Sequence, residues 1–172
     1  MKVYTAEHSI RLLEKLITIP SYSKEEKEVA DLLEQYLLDA GTIPERVGNN
    51  LILRGRSWGE ERKTLLLNSH IDTVKPQGNW MHNPHEVVRQ DDRLIGLGSN
   101  DAGGCLVSLI HAFLNVQNED LGFNVILACT AEEEISGKGG IESVWKDLGV
   151  VDAGIVGEPT GMKMAVAEKG LL

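Results

Sequence analysis

The feature that most constrains this chain is an uninterrupted apolar run, Val125-Ile126-Leu127-Ala128-Cys129. A strand without polar alternation is buried on both faces, which favours a parallel or mixed sheet between layers of helices. Shorter apolar runs at 51–53, 65–67 and 153–156 predict three more strands. We expect the first two of these runs to pair with each other, since only a charged loop that contains glycine separates them.

Helical patterns occupy much of the chain between these strands. The apolar residues have helical spacing in four segments: 6–18, 29–40, 103–116 and 139–147. Ser23 and Glu26 predict a capping box for the second helix, and Gly41 predicts its end. We also expect short strands near 86–89 and at 162–167. The alternation predicts an α/β fold of three layers, with a mixed, mostly parallel sheet between helices.

Composition narrows the classes of partner and the compartment. The chain has 17 basic and 26 acidic residues and a net charge of -9, which argues against binding to nucleic acid or to an anionic membrane. No apolar run is suited to a signal peptide or a membrane span. Cys105 and Cys129 lie in apolar segments, where free thiols of a reducing compartment are expected. We predict a cytoplasmic protein.

Residues of the kinds that bind metals follow the ends of the predicted strands. In open α/β sheets the functional crevice lies beyond the carboxyl ends of the strands. Five of these residues follow strand ends, and Asp101 lies in a glycine-containing loop before the third helix; the five are His70, Asp72, Glu133, Glu134 and Glu158. Imidazole and carboxylate ligands suit Zn²⁺, Co²⁺ or Mn²⁺. The sequence therefore predicts a metal site at this edge of the sheet.

Each of these residues also has an ordinary structural interpretation. His70 alone is more typical of a hydrogen-bonded core histidine, although a carboxylate two residues later is what a ligating imidazole needs to fix its tautomer. Asp101 is well placed to be a helix N-cap. The run of three glutamates at 132–134 is also compatible with a solvated face. The metal site is favoured because all of these residues occur together at strand ends.

Four ordered blocks of the sequence resemble the signature blocks of the M20 metallohydrolases. They are His70-Ile71-Asp72-Thr73-Val74, Gly96-Leu97-Gly98 through Asp101-Ala102-Gly103-Gly104, Glu132-Glu133-Glu134 and Gly157-Glu158-Pro159-Thr160. That family includes acetylornithine deacetylase, succinyl-diaminopimelate desuccinylase, aminoacylase and carboxypeptidases. Trp80 and the segment 91–104 look most like the acetylornithine deacetylase type. The resemblance implies a zinc-exopeptidase-like catalytic domain that hydrolyses the amide bond of a small-molecule N-acyl amino acid, with N-acetylornithine in arginine biosynthesis as the expected substrate.

The resemblance also implies a set of metal ligands. His70 and Glu158 would bind one divalent ion, Glu134 would bind a second, and Asp101 would bridge the two. In that family a cis peptide bond often follows the bridging aspartate. The ions are expected to be zinc, with cobalt or manganese as alternatives.

Two catalytic roles follow from the same resemblance. Glu133 would act as the general base, and Asp72 would orient His70. Sliding the alignment of the acidic run by one residue would instead make Glu132 the base and Glu133 the ligand, so both assignments stay open at this point.

One departure from the family pattern concerns the length of the chain. Family members contribute a further metal-binding histidine from a C-terminal segment, and they insert a lid or dimerisation domain near the point where this sequence ends. Residues 1–172 would then be the N-terminal portion of the catalytic domain. We expect this isolated chain to be inactive. We also expect that the parent protein forms a homodimer through its lid domain. A dipeptidase, a carboxypeptidase, a desuccinylase and a non-catalytic binding module remain alternatives.

Overall fold

The computed structural model describes residues 3–161 and 163–164. Its helices are α1 (Ala6–Ile17), α2 (Lys27–Asp39), α3 (Gly104–Val116) and α4 (Ile141–Leu148). Its strands are β1 (Glu45–Val47), β2 (Asn50–Arg54), β3 (Thr64–His70), β4 (Val88–Gln90), β5 (Arg93–Ile95), β6 (Asn124–Thr130) and β7 (Ala153–Val156). None of the helices in this part of the chain is long and apolar enough to cross a membrane.

The principal sheet has five strands in the order β1-β2-β6-β3-β7. Strands β6, β3 and β7 run parallel to one another, whereas β2 pairs with β6 and β1 pairs with β2 in antiparallel fashion. All seven residues of β6 are buried, as its unbroken apolar sequence predicts. The predicted α/β fold with a mixed sheet is confirmed, and its parallel part consists of three of the five strands, of which the middle one, β3, ends at His70.

The predicted pairing of 51–53 with 65–67 is wrong. Strand β6 lies between β2 and β3, so that Ile126 is level with Arg54 on one side and with Leu66 on the other. Burial explains this order, because the most apolar strand loses the most contact with water when it has a neighbour on each side. The loop between β2 and β3 therefore crosses the end of β6 instead of forming a hairpin.

Helices cover both faces of the sheet. Leu51, Leu67 and Leu127 point to the face that packs against α1, α2 and α3. Residues one position away, such as Ile52 and Ile126, point to the opposite face and pack with Val144 and Leu148 of α4. This alternation is the two-residue period of a strand, and it gives the three layers that the sequence predicts. Cys105 and Cys129 are free thiols, as expected, and Cys129 is fully buried.

The capping box predicted from Ser23 and Glu26 is absent. Helix α2 begins at Lys27 without a side-chain cap, the Ser23 hydroxyl donates to Asp72 instead, and Glu26 is fully buried. Both side chains are therefore used in tertiary contacts.

Three smaller elements complete the comparison with the sequence. The strand expected near 86–89 is β4, and it forms a separate two-stranded hairpin with β5. Strands β1 and β5 were not predicted, since each is only three residues long. The strand predicted at 162–167 lies mostly outside the described residues.

Candidate metal centre

His70 is the last residue of β3, and its imidazole is held in one orientation. The residue is 2% exposed, and its Nδ1 lies 2.8 Å from the backbone carbonyl oxygen of Asp72. The Asp72 carboxylate is slightly farther from Nδ1, at 3.4 Å. An N–H at Nδ1 that donates to this carbonyl leaves Nε2 as the free ligand atom, which is the usual arrangement for a metal-binding histidine.

Two carboxylates reach Nε2 of His70 from other segments. Asp101 Oδ1 lies 3.3 Å away and Glu158 Oε2 lies 3.8 Å away. Asp101 stands in an irregular turn at the start of α3, and its peptide bond to Ala102 is cis, as the resemblance implies. Glu158 follows β7, the parallel neighbour of β3. Parallel strands and the start of a helix thus bring residues 70, 101 and 158 together.

This trio fits a divalent metal ion. Within the described part of the chain, one ligand atom from each of His70, Asp101 and Glu158 lies within 4.8 Å of the other two. Zn²⁺ bonds of about 2.0–2.2 Å in tetrahedral geometry separate neighbouring ligand atoms by roughly 3.3–3.6 Å. The observed separations of 3.3 and 3.8 Å from Nε2 therefore need only small side-chain shifts to enclose an ion.

The charges at the centre also favour a cation. Burial raises the pKa of Glu158, and the nearby carboxylates raise it further although the charge of His70 opposes them. Burial by itself lowers the pKa of His70, but the Asp72 carboxylate and the charge of Glu158 outweigh it and raise that pKa to about 9. A site in which carboxylates raise one another's pKa, and in which they also raise the pKa of the imidazole, is one that a bound cation would stabilise.

The acidic turn, residues 131–136, follows β6 and contributes the remaining predicted residues. Glu133 Oε2 lies 3.9 Å from His70 Nε2, and its side chain is 53% exposed. Burial and the negative charge of Asp101 raise the pKa of Glu134. The Glu134 carboxylate is therefore close enough to Asp101 for the two charges to repel each other. Both glutamates are therefore at the mouth of the centre.

Glu132 is oriented differently from the two glutamates that follow it. Its carboxylate accepts a hydrogen bond from the Gly139 amide at 3.2 Å. A Cβ atom placed on Gly137 or Gly139 would lie 2.1–2.3 Å from the Glu132 carboxylate oxygens, so the side chain is packed against this glycine loop. The geometry therefore favours the alignment in which Glu133 and Glu134 serve the centre.

Asp72 joins His70 to the acidic turn. It is 1% exposed, and its two oxygens accept hydrogen bonds from the amides of Glu133 and Glu134 at 3.0 and 3.2 Å. Burial would raise the pKa of this carboxyl, but hydrogen bonds from His70, Ser23 and the Glu133 amide hold the pKa below its usual value. Asp72 is thus an ionised buried group that orders both sides of the centre.

Sequence reasoning assigned other roles to Ser23 and Glu26, and it did not select Asn50. Ser23 donates to Asp72 at 2.7 Å, Glu26 accepts from the Glu132 amide, and Asn50 accepts from the Ala131 amide. A signal for Glu26 was present, because it precedes Val29 and Ala30 by three and four residues and so extends the apolar face of α2. For Asn50 the sequence contains no comparable signal.

An α/β sheet that gathers an imidazole and carboxylates beyond its carboxyl edge is a candidate metal-binding domain. Residues 66–169 match the model of peptidase family M20/M25/M40, and this match covers more than half of the chain. The chain therefore belongs to this peptidase family.

Individual relatives agree with the family assignment. Acetylornithine deacetylase of Edwardsiella ictaluri is 31% identical over 95% of this chain and 46% of its own length. A probable succinyl-diaminopimelate desuccinylase of Staphylococcus aureus is 27% identical over 99% of this chain and 44% of its own length. The chain thus spans less than half of these relatives.

A solved structure shares the fold. The YXEP protein of Bacillus subtilis, described as a dinuclear metal binding peptidase from the M20 family, superposes with a TM-score of 0.65 and 18% sequence identity. The match covers 87% of this chain and 42% of that protein. It supports the three-layer architecture.

Proposed function

We propose that the protein containing this chain is a metal-dependent hydrolase that cleaves the amide bond of N-acyl amino acids. The observation that carries the proposal is the convergence of His70, Asp101 and Glu158, with ligand atoms within 4.8 Å of one another. Glu134 and a ligand from outside residues 1–172 would bind a second ion, which Asp101 would share. Zinc is the expected metal, with cobalt or manganese as alternatives.

The roles of the residues follow from their positions. A divalent ion bound at the centre supplies Lewis acidity, which polarises a carbonyl group and acidifies water. Glu133 takes a proton from the attacking water as its oxygen bonds to the amide carbon, and returns a proton to the amine as the C–N bond breaks. Its exposed carboxylate can reach solvent and substrate. Asp72 does not exchange protons in this scheme; it holds His70 and the acidic turn.

N-Acetylornithine is the substrate that we propose, because an acetylornithine deacetylase is 31% identical over 95% of the chain. Succinyl-diaminopimelate is the second candidate, favoured by the relative that covers 99% of the chain at 27% identity. A chain that spans less than half of these relatives is, we infer, the N-terminal portion of a cytoplasmic catalytic domain that needs the remainder of the protein for turnover.

The test measures amine release by the complete protein with and without a chelator. Substrates are N-acetylornithine, N-succinyl-diaminopimelate, other N-acyl amino acids and dipeptides. Chelator-sensitive release from N-acetylornithine is expected. Release from dipeptides alone would show that the protein is a peptidase and not a deacetylase. Metal binding without any turnover would indicate a non-catalytic binding module.

Two matched variants test the roles within the acidic turn. Glu133→Gln should lower kcat of the complete protein by about 10²–10⁴-fold, the usual contribution of a general base, with unchanged metal content. Glu132→Gln should retain kcat within about tenfold, because an amide oxygen can still accept from Gly139. Equal losses in both variants, or loss only in the second, would refute this assignment.

A further inference from the structure

The backbone of the acidic turn is held by side chains from three other segments. Its four consecutive amides, from Ala131 to Glu134, each donate to a side-chain oxygen. The acceptors are Asn50 Oδ1 at 2.9 Å, Glu26 Oε1 at 3.2 Å, Asp72 Oδ1 at 3.0 Å and Asp72 Oδ2 at 3.2 Å, in that order. Side chains from other segments therefore hold the amides of this turn, whose only regular structure is one 3₁₀ turn at Glu133–Ile135.

Glu26 is a rigid acceptor in this arrangement. It has no exposed surface, and besides the Glu132 amide it accepts from the Lys24 amide at 2.6 Å and from Asn49 Nδ2 at 2.9 Å. A buried carboxylate is tolerated when hydrogen bonds replace its hydration. Three donors from three separate segments leave this carboxylate little freedom to move.

Asn50 connects the two ends of the loop that contains the turn. It is 1% exposed. Its oxygen accepts from Ala131, while its Nδ2 donates to the carbonyl oxygens of Gly139 at 2.7 Å and Val47 at 3.0 Å. The side chain therefore bridges the beginning and the end of the loop.

The turn requires external support because its own conformation is unfavourable. Glu132 and Ser136 have φ angles of +54° and +48°, in the left-handed region that residues other than glycine seldom occupy. Such residues persist where the surrounding structure determines them. Glu133 and Glu134 lie between these two positions, so their direction depends on the conformation of the turn.

We propose that Glu26 and Asn50 are positioning residues, which hold the amides of Ala131 and Glu132 and thereby direct Glu133 and Glu134 into the metal centre. The inference rests on the proposed function for the roles of those two glutamates. Neither Glu26 nor Asn50 belongs to the trio of candidate ligands. Their hydrogen bonds restrict the backbone conformations open to the turn, so that Glu133 and Glu134 remain directed toward the centre.

Residue-resolved amide exchange of the metal-free chain tests the conformational part. Glu26→Leu and Asn50→Leu remove the acceptors, and exchange at residues 131–134 should accelerate at least tenfold while residues 125–129 of β6 change less than threefold. Glu26→Gln keeps an acceptor for the Glu132 amide and should remain within threefold of wild type throughout. Glu28→Gln, an exposed change on α2, is the control. If Glu26→Leu does not fold, Glu26→Ala leaves room for a water and should show the same local acceleration.

Cobalt titration of the complete protein, which would supply the outside ligand of the second ion, tests the link to the centre in the same variants. Affinity for a second Co²⁺ should fall at least tenfold in Glu26→Leu, with affinity for the first ion within threefold, because only the second ion uses Glu134. Unchanged exchange at 131–134, uniform acceleration of all amides, or unchanged affinity for both ions would overturn the positioning role. A complete wild-type protein that binds no cobalt would instead refute the proposed function, and the exchange pattern of the metal-free chain alone would then decide the positioning role.

Discussion

At the scale of single residues, the candidate metal centre is assembled from carboxylates that repel one another in the metal-free chain. Asp101, Glu133, Glu134 and Glu158 approach a single imidazole, and burial raises the pKa of two of these carboxyls. A carboxyl whose pKa is higher in the folded than in the unfolded state stabilises the fold below its unfolded pKa. That stability is lost as the pH rises through the folded pKa. At neutral pH such groups therefore disfavour folding unless a cation is bound.

Replacement of Glu158 by glutamine tests this opposition. In the metal-free chain at pH 7 the variant should have a Tm higher by roughly 1–3 °C, since it removes a disfavoured charge. The advantage should vanish below about pH 4.5, where Glu158 is protonated in both the folded and the unfolded state. With zinc present the order should reverse, because the variant lacks a ligand. Calorimetry of both proteins across pH provides the measurement, and a lower Tm of the metal-free variant at pH 7 would contradict the prediction.

At the scale of elements, the sequence predicted which segments are strands better than it predicted their order. The apolar character of residues 125–129 correctly predicted a strand that is buried on both faces. The helical spacing of apolar residues predicted α1, α2, α3 and α4 to within a few residues of their ends. The order of β2, β6 and β3 was not accessible, because neighbours in a sheet are chosen by total burial and not by proximity along the chain.

The metal centre shows the same division between what was and was not predicted. Residues after strand ends could be selected because sheet geometry gathers them at one edge. The supporting contacts of Ser23, Glu26 and Asn50 could not be derived, since Glu26 and Asn50 accept from distant backbone amides and the Ser23 hydroxyl donates to the distant Asp72 carboxylate. Local rules assigned Ser23 and Glu26 to a capping box, and tertiary hydrogen bonds replaced it.

The central position of β6 leads to a prediction about stability. Ile126 has no exposed surface and packs beneath α4, whereas Ile155 of the edge strand β7 is 50% exposed. Ile126→Ala should lower the free energy of unfolding by about 2–5 kcal/mol, and Ile155→Ala should change it by less than about 1 kcal/mol. Urea unfolding of the metal-free chain measures both. Similar losses in the two variants would show that β6 is not the centre of the core.

At the scale of the whole molecule, segments that are distant in the sequence supply the trio of ligands. His70, Asp101 and Glu158 come from β3, from the turn before α3 and from the loop after β7. An ion that binds all three therefore stabilises the packing of β3, α3 and β7 against one another, and is linked to global folding rather than to one loop.

Metal addition and removal should accordingly shift the stability of the complete chain. Zinc at a free concentration of 100 times its Kd should add about 2.7 kcal/mol to the free energy of unfolding, or roughly 5–10 °C in Tm for a chain of this size. A chelator should reverse the shift. Calorimetry at several zinc concentrations is the measurement, and His70→Ala is the control that should show no shift. The same Tm with and without zinc would count against the centre.

The placement of β6 between β2 and β3 has a consequence for synthesis of the protein. Asn124 is 60 residues beyond its partner Thr64. At a ribosomal rate of about 5–20 residues per second, β3 is synthesised roughly 3–12 s before the strand that separates it from β2, and β2 is synthesised earlier still. During this interval the nascent chain presents two apolar strands that must not pair with each other. Chaperones that bind extended apolar segments would have their greatest effect on this protein in that interval.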